Sequence, residues 1–252
     1  MTEHQRLTLL GVPFDLLSGD DISRAIADAA AHKRRMWIST ANLDWVVMAQ
    51  RDPDFLRTIE RSDLVTCDGA PVMKLAQIAK KPIPHRVTGV EIFKRLRAGE
   101  AGPLRVGFFG AENDEAARAS EVLNTEDTPL IGAGGYNPGH GSVEELSADD
   151  HINAINAMDA DVLVLSLGAR KAQLWIEHNL DRLGPPVVAH LGAVVRHVSG
   201  DTTEAPEALS KAGFEWVWRA YKEPALRARY ASNFAALPGL MLAALKEGQQ
   251  AN

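Results

Sequence analysis

The residues of this chain that could bind or transform a ligand come directly after its short apolar runs. Asp68 follows the run at residues 64–67, and Asn42 follows the run at residues 36–39. Small residues and short polar side chains in such places let a backbone and the N-termini of helices approach a ligand closely, which suits phosphate groups. The same setting applies to Thr40, Gly69, Gly110, Gly135, Tyr136, Gly168 and Gly192. Any one of these glycines could instead serve a tight turn between strand and helix.

The apolar runs alternate with helical patterns along almost the whole chain, which predicts an α/β fold whose mostly parallel sheet has crossover helices. The predicted strands are residues 7–10, 36–39, 64–67, 105–109, 129–131, 162–167 and 187–190. The predicted helices are residues 21–31, 43–50, 53–61, 72–79, 114–123, 143–157 and 171–183. Residues 132–142 are too rich in glycine for a helix or strand interior and are predicted to form a loop. Ligands bind beyond the carboxyl ends of the strands in such sheets, so the residues above should share one edge.

Composition restricts the classes of function. The chain has 252 residues, which suits one large α/β domain, and its net charge of −6 argues against a general nucleic-acid binder. Cys67 is the only cysteine, which excludes an internal disulfide and a cysteine-based metal site. The N-terminus lacks a signal-peptide pattern, and no apolar stretch approaches the roughly 20 residues that span a bilayer. We therefore expect a cytoplasmic protein.

Four segments resemble the WecG/TagA/CpsF family of glycosyltransferases. They are residues 40–55 (TANLDWVVMAQRDPDF), 64–72 (LVTCDGAPV), 85–93 (HRVTGVEIF) and 214–230 (FEWVWRAYKEPALRARY). The combination is specific, whereas no single segment is. The resemblance implies a Rossmann-like sheet and an enzyme of cell-surface polysaccharide biosynthesis, such as that of teichoic acid or capsule. Such an enzyme moves an N-acetylmannosamine-type sugar or related hexose from a UDP-sugar to a polyprenyl-diphosphate-linked acceptor, with inversion at the anomeric carbon.

An inverting transfer needs one general base to take the proton from the acceptor hydroxyl. Asp68 is the candidate, because it stands at the carboxyl end of a predicted strand with Gly69 beside it. The resemblance places the family's catalytic aspartate at the same position. The alternative is an Asp-Gly turn that only caps the next helix. Thr40 and Asn42 could hydrogen-bond sugar hydroxyls, or they could cap the helix predicted at residues 43–50.

A loop predicted after the prolines at positions 82 and 84 holds Arg86, Gly89 and Glu91. Arg86 could clamp a diphosphate or the acceptor there, or it could form a surface salt bridge. Tyr136, which follows several glycines, could stack on the nucleotide or anchor its own loop. These residues are therefore candidates for substrate binding.

The segment after Gly168 departs from the family's pattern. The family usually has Pro-Lys-Gln-Glu there, whereas this chain has Ala-Arg-Lys-Ala-Gln at residues 169–173. Lys171 matches the family and, with Gln173, is predicted to contribute to the donor pocket. Glu204 stands where many members have arginine. These departures keep open a catalytically silent protein that binds nucleotide sugars.

No convincing metal or cofactor motif is present. The acid-x-acid pairs at residues 52–54 and 159–161 indicate a helix cap and a strand flank, so we predict no metal ligands and no cofactor. An NAD(P)-dependent oxidoreductase, the other alternative, should have G-x-G-x-x-G after its first strand, where Gly11 stands alone.

Residues 214–252 are predicted to form a helical appendage to a glycosyltransferase domain at residues 1–213. Residues 211–230 carry five basic and two acidic side chains, interspersed with aromatic rings. The apolar stretch at residues 234–245 is interrupted by Pro238 and is too short to span a bilayer. This pattern predicts docking on an anionic membrane surface, hence a peripheral protein on the inner face of the cell membrane.

The resemblance also implies that two arginines of this appendage, Arg219 and Arg229, contact the leaving diphosphate. The appendage would then complete the active site as well as dock on the membrane. The sequence leaves a homo-oligomer open.

Overall fold

The computed structural model describes residues 5–201, 218, 221–222 and 226–250. The strands are β1 (Arg6–Leu9), β2 (Val12–Asp15), β3 (Met36–Ala41), β4 (Leu64–Cys67), β5 (Leu104–Gly110), β6 (Leu130–Tyr136), β7 (Val162–Ser166) and β8 (Val187–His190). Strands β3 to β8 form a parallel sheet in the spatial order β4-β3-β8-β7-β5-β6. The Rossmann-like α/β fold expected from the sequence is confirmed.

Helices connect the strands and cover both faces of the sheet. They are α1 (Gly19–Ala31), α2 (Leu43–Ala49), α3 (Pro53–Glu60), α4 (Ala70–Ile78), α5 (Gly89–Arg97), α6 (Glu115–Thr125), α7 (Asp149–Ala157), α8 (Ala169–Asn179), α9 (Val194–Val198) and α10 (Arg227–Gln250). Several of these helices begin with a short polar side chain at the N-cap. Ser18 forms a capping box with Asp21, and Asp52 accepts a hydrogen bond from the Phe55 amide ahead of α3.

Successive residues of the inner strands face opposite sides of the sheet. In β7, Val162 and Val164 pack with α1, α5, α6 and α9, whereas Leu163 and Leu165 pack with α7 and α8. Because both faces are covered, these strands are apolar without alternation, as parallel strands usually are. That continuous apolar character is what made the strands recognisable in the sequence.

The N-terminal hairpin is a feature that the sequence only half predicted. The strand expected at residues 7–10 is β1, but the chain then turns at Leu10 and Gly11, both at positive φ, into β2. Asp15 of β2 accepts hydrogen bonds from Arg6 and from the Val65 amide, at 2.7 and 2.6 Å. The hairpin is thereby fastened beside the edge strand β4.

The loop predicted at residues 132–142 is wrong in its first half, because β6 continues to Tyr136. The glycines there serve close packing of helix α6 on the strand. A Cβ added at Gly132 would lie 2.0 Å from the Ser120 carbonyl oxygen, and one at Gly135 would lie 2.0 Å from that of Ala116. The helix predicted at residues 143–157 is a 3-10 turn followed by α7.

Helix α10 packs across α2 and α4 at one end of the sheet. Leu240 and Ala244 are buried in the same apolar cluster as the residues of α2 and α4. The predicted domain boundary at residue 213 lies outside the described residues. None of the helices in the described part of the chain is long and apolar enough to cross a membrane.

Replacing Gly135 by alanine tests the packing of α6 on β6. The added Cβ would meet the backbone of Ala116, and such overpacking lowers the free energy of unfolding by about 1–3 kcal/mol or more. Gly239→Ala is the matched control, because its Cβ would meet no atom within 4 Å and alanine favours a helix. Chemical denaturation of both variants checks this, and an unaltered midpoint for Gly135→Ala would contradict it.

Candidate active site

A cleft lies over the carboxyl ends of β4, β3 and β8 and encloses about 1040 Å³ that is continuous with solvent. The position is the usual one for ligands of open parallel sheets. Its polar lining comes from strand ends, the start of α5 and helix α10. The polar side chains of the lining include Asn42, Asp68, Arg86, Thr88, Arg229 and Asn233.

Asp68 stands half-buried at the end of β4, where its carboxylate lines the cleft. Its backbone amide donates to the Ala41 carbonyl of the neighbouring strand at 2.9 Å, which fixes the end of β4. Helix α4 begins after Gly69, which is its N-cap and has φ of 150°. The helix is therefore not capped by Asp68, and the turn presents the carboxylate at the sheet edge.

The two polar residues after β3 have different surroundings. Thr40 is buried, and its hydroxyl donates to the carbonyl of His190 at 3.1 Å, so it joins β3 to β8 beneath the cleft. Asn42 lines the cleft and caps α2, since its Oδ1 accepts from the amides of Asp44 and Trp45. Asn42 therefore has the capping role that was the alternative to sugar binding. Its amide nitrogen could still donate to a ligand, and sugar binding by Asn42 stays a prediction.

The segment predicted as a loop around Arg86 contains the start of a helix that the sequence analysis missed. Thr88 caps α5 by accepting from the amide of Glu91, and Gly89 opens the helix. A Cβ at Gly89 would lie 2.2 Å from the Leu191 carbonyl oxygen, so glycine lets α5 approach the end of β8. Arg86 and Thr88 line the cleft as a result, whereas Glu91 pairs with Arg95 outside it.

Two arginines give the cleft positive charge. Among the described residues no carboxylate pairs with Arg86, whereas Arg229 forms a long ion pair with Asp44, with 3.9 Å between its Nε and the carboxylate. Guanidinium groups bind phosphate oxygens in forked hydrogen bonds. The cleft thus combines the Asp68 carboxylate with two cations that could hold a diphosphate. Arg219, predicted for the same task, lies outside the described residues.

The remaining predicted ligands lie along the same edge but over β7, β5 and β6, outside the cleft lining. Gly110 admits the backbone of Ser166, because a Cβ there would be 2.5 Å from its carbonyl oxygen. Gly168 precedes α8, and Gly135 contacts α6 as described above. The roles of these glycines in substrate binding stay predictions. Close packing alone already explains why positions 110 and 135 are glycine.

Three side chains of this second region bind other parts of the protein. The Tyr136 hydroxyl is 2.9 Å from the Nδ1 of His151, and Lys171 donates to the carbonyl of Gly141 at 2.7 Å. Gln173 is buried, and its Nε2 donates to the Ser39 hydroxyl at 2.9 Å. Contact with a donor substrate would require Lys171 or Gln173 to exchange these partners, and it stays a prediction.

Cys67 is buried at the end of β4, next to Asp68. Burial, reinforced by the neighbouring carboxylate, raises the pKa of its thiol to about 12, so it is no nucleophile at neutral pH. The interpretation of Cys67 as a buried strand residue is confirmed. No three histidine, cysteine or carboxylate side chains in the described ranges are grouped so as to hold a metal ion.

Helix α10 contributes cleft residues that sequence reasoning missed. Tyr230, Asn233 and Phe234 line the cleft together with Arg229. The spacing of Arg229, Asn233 and Leu240 places them along one side of a helix, which was a usable signal. That spacing does not indicate that the helix packs on α2 and α4.

The fold and the cleft define an α/β protein with a candidate ligand site at the carboxyl edge of an open parallel sheet. The chain belongs to the glycosyl transferase WecG/TagA/CpsF family, whose model matches residues 7–251. It is therefore a glycosyltransferase, as the resemblance implied.

Two relatives come from the Staphylococcus aureus strains NCTC 8325 / PS 47 and COL. Both are named N-acetylglucosaminyldiphosphoundecaprenol N-acetyl-beta-D-mannosaminyltransferase. Each is 24% identical over 220 residues, which is 85% of this chain and 84% of the relative.

The floor of the cleft has a pH-dependent contribution to stability that can be measured. His190, at the end of β8, is buried with its ring centroid 5.4 Å from that of Trp45, and burial lowers its pKa to about 4. The unfolded chain therefore binds the proton first as pH falls below about 6.5, so stability is lost between pH 6.5 and 4.

We expect the free energy of unfolding of His190→Gln to fall about 3 kcal/mol less than that of the unaltered protein between pH 7 and pH 4. Denaturant titrations at several pH values measure the difference. Identical pH dependence of the two proteins would show that His190 is not held neutral by the fold.

Proposed function

We propose that this chain transfers a sugar from a UDP-sugar to a polyprenyl-diphosphate-linked sugar at the membrane surface, with inversion of configuration. The observation that carries the proposal is the placement of Asp68, Arg86 and Arg229 in one cleft of a WecG/TagA/CpsF family member. The relatives' name supports the acceptor, since they act on an N-acetylglucosaminyl diphosphoundecaprenol. It also supports an N-acetylmannosamine-type donor.

The reaction is a single displacement. The acceptor hydroxyl attacks the anomeric carbon while Asp68 takes the hydroxyl proton as general base. A carbon–oxygen bond forms on one face as the bond to the UDP phosphate oxygen breaks on the other, which inverts the anomeric centre. The electron pair leaves with UDP.

The leaving diphosphate gains negative charge, which the enzyme must stabilise. Arg86 and Arg229 are the described cations of the cleft, and Arg219 is proposed to join them. Because these side chains supply positive charge, transfer is expected without a divalent metal. The departures at residues 169–173 bear on the donor sugar and not on this step.

Replacing Asp68 by asparagine keeps the shape of the side chain and removes the base. We expect transfer to fall by about 10²–10⁴-fold while UDP-sugar binding persists, because the change affects proton removal from the acceptor. Asp44→Asn alters the second carboxylate of the cleft and should lower the rate of transfer by less than about tenfold.

A donor and acceptor assay read by mass spectrometry measures both variants. Near-full transfer by Asp68→Asn, or a larger loss in Asp44→Asn, would refute the assignment. Tight UDP binding by the unaltered protein without any transfer would favour the silent binding protein.

Membrane docking is proposed for the outer face of α10. The apolar residues exposed there follow helical spacing, and they are Phe234, Pro238, Met241, Leu242 and Leu245. We call this set the α10 stripe. Its first residue also lines the cleft, so the stripe leads from the proposed reaction site to the surface. Lys222, within 5.0 Å of the Trp218 ring, adds a cation and aromatic rings of the kind that favour a membrane interface.

The double variant Met241→Gln, Leu245→Gln should lower partitioning onto vesicles that contain anionic phospholipid by about tenfold or more. Both side chains are about half exposed, so the fold loses little while lipid burial is removed. Ile131→Gln, in an equally exposed apolar residue of β6, is the matched control and should pellet normally. Sedimentation with vesicles measures this, and equal pelleting of all three proteins would contradict docking through the stripe.

A further inference from the structure

Asn233 occupies a position in α10 where packing favours an apolar side chain. It is 4% exposed, and the same side of the helix continues with Leu237, Leu240 and Ala244, which pack into the core of α2 and α4. An amide buried without a hydrogen-bond partner destabilises a protein. In the part of the chain that the structure describes, its carboxamide makes no hydrogen bond, and its polar atoms are not fully enclosed. Packing therefore gives no reason for asparagine here.

The small accessible part of Asn233 faces the cleft, where a ligand could supply the missing hydrogen bonds. The hydroxyls of Tyr230 and Thr88 also line the wall, and that of Thr88 already accepts from the amide of Glu91. The remaining polar side chains offer less choice. Arg86 and Arg229 can only donate, and the carbonyl of Asn42 is used in capping α2. Asn233 brings both a donor and an acceptor to the site.

The cleft that Asn233 lines also has apolar surface. Leu43, Val90 and Phe234 line the same cleft. A carboxamide and apolar side chains in one cleft match an acetamido group, whose carbonyl or N–H can meet the amide while its methyl group meets the apolar wall. A sugar hydroxyl at the same carbon would fill only the polar part.

We infer that Asn233 determines specificity for an acetamido group on the acceptor sugar, an inference that rests on the proposed function. The acceptor is favoured over the donor because Asn233 lies beside Phe234, where the α10 stripe begins. The lipid of the acceptor would follow the stripe, and its first sugar would then reach the wall that Asn233 forms. The Nδ2 of Asn233 donates to the acetamido carbonyl, or its Oδ1 accepts from the acetamido N–H.

The test compares two short-chain lipid diphosphates, one carrying N-acetylglucosamine and one carrying glucose. For each, kcat/KM of transfer is measured with the unaltered protein and with Asn233→Ala. We expect the ratio of kcat/KM for the acetamido acceptor to that for the glucose acceptor to be about tenfold lower in the variant. The change should come from a higher KM for the acetamido acceptor, while the KM of the UDP-sugar stays unchanged. Ser232→Ala, on the exposed side of the same helix, is the control and should keep the preference.

A purely structural role would have a different signature. If Asn233 serves only the fold, Asn233→Leu should lower the Tm, whereas our inference expects the Tm to be unchanged or raised because the position suits an apolar side chain. Equal loss with both acceptors, an altered KM for the UDP-sugar alone, or an unchanged preference would each overturn the inference.

Binding of the two acceptors without donor separates this inference from the proposed function. A protein that transfers no sugar but binds the acetamido acceptor more tightly, with the difference lost in Asn233→Ala, would refute the function and support the role of Asn233. An unaltered protein that binds both acceptors equally, or neither, would refute the role of Asn233 whatever its transferase activity.

Discussion

The close packing of α10 on α2 and α4 is the constraint on which the cleft depends. A Cβ at Gly248 would lie 2.9 Å from the backbone of Ala79, so the helices meet at a distance that only glycine permits. Glu247 adds an ion pair with Lys81 at 2.5 Å and accepts from the amide of Leu10 in the hairpin turn. Because α10 is fastened at its far end and packs on α2 and α4, its first turns lie over the carboxyl ends of β3 and β4.

Charged side chains line the cleft, whereas the titratable residues buried beneath it are uncharged. Cys67 and His190 end two strands beneath it, and burial raises the pKa of the thiol and lowers that of the imidazole. Both groups are therefore uncharged at neutral pH. The charges that remain, on Asp68, Asp44 and the arginines, belong to residues that line the cleft.

The two halves of the sheet edge are built differently. Over β4, β3 and β8 the edge is open and lined by polar side chains. Over β7, β5 and β6 it is closed by contacts within the protein, such as the Tyr136 hydroxyl with His151 and Lys171 with Gly141. Glycine serves both halves, since Gly89 brings α5 to the open half and Gly135 brings α6 to the closed one.

The sequence by itself determined the strand and helix rhythm, the parallel sheet and the position of Asp68 at a strand end, because these depend on local apolar runs and on the shared direction of parallel strands. It did not determine that the glycines of residues 132–135 belong to a strand, since a glycine chosen for close packing and one chosen for a loop have the same local pattern. The tertiary structure alone decided that Asn233 joins Asp68 in one cleft. Those residues are far apart along the chain, and only the packing of α10 on α2 and α4 brings them together.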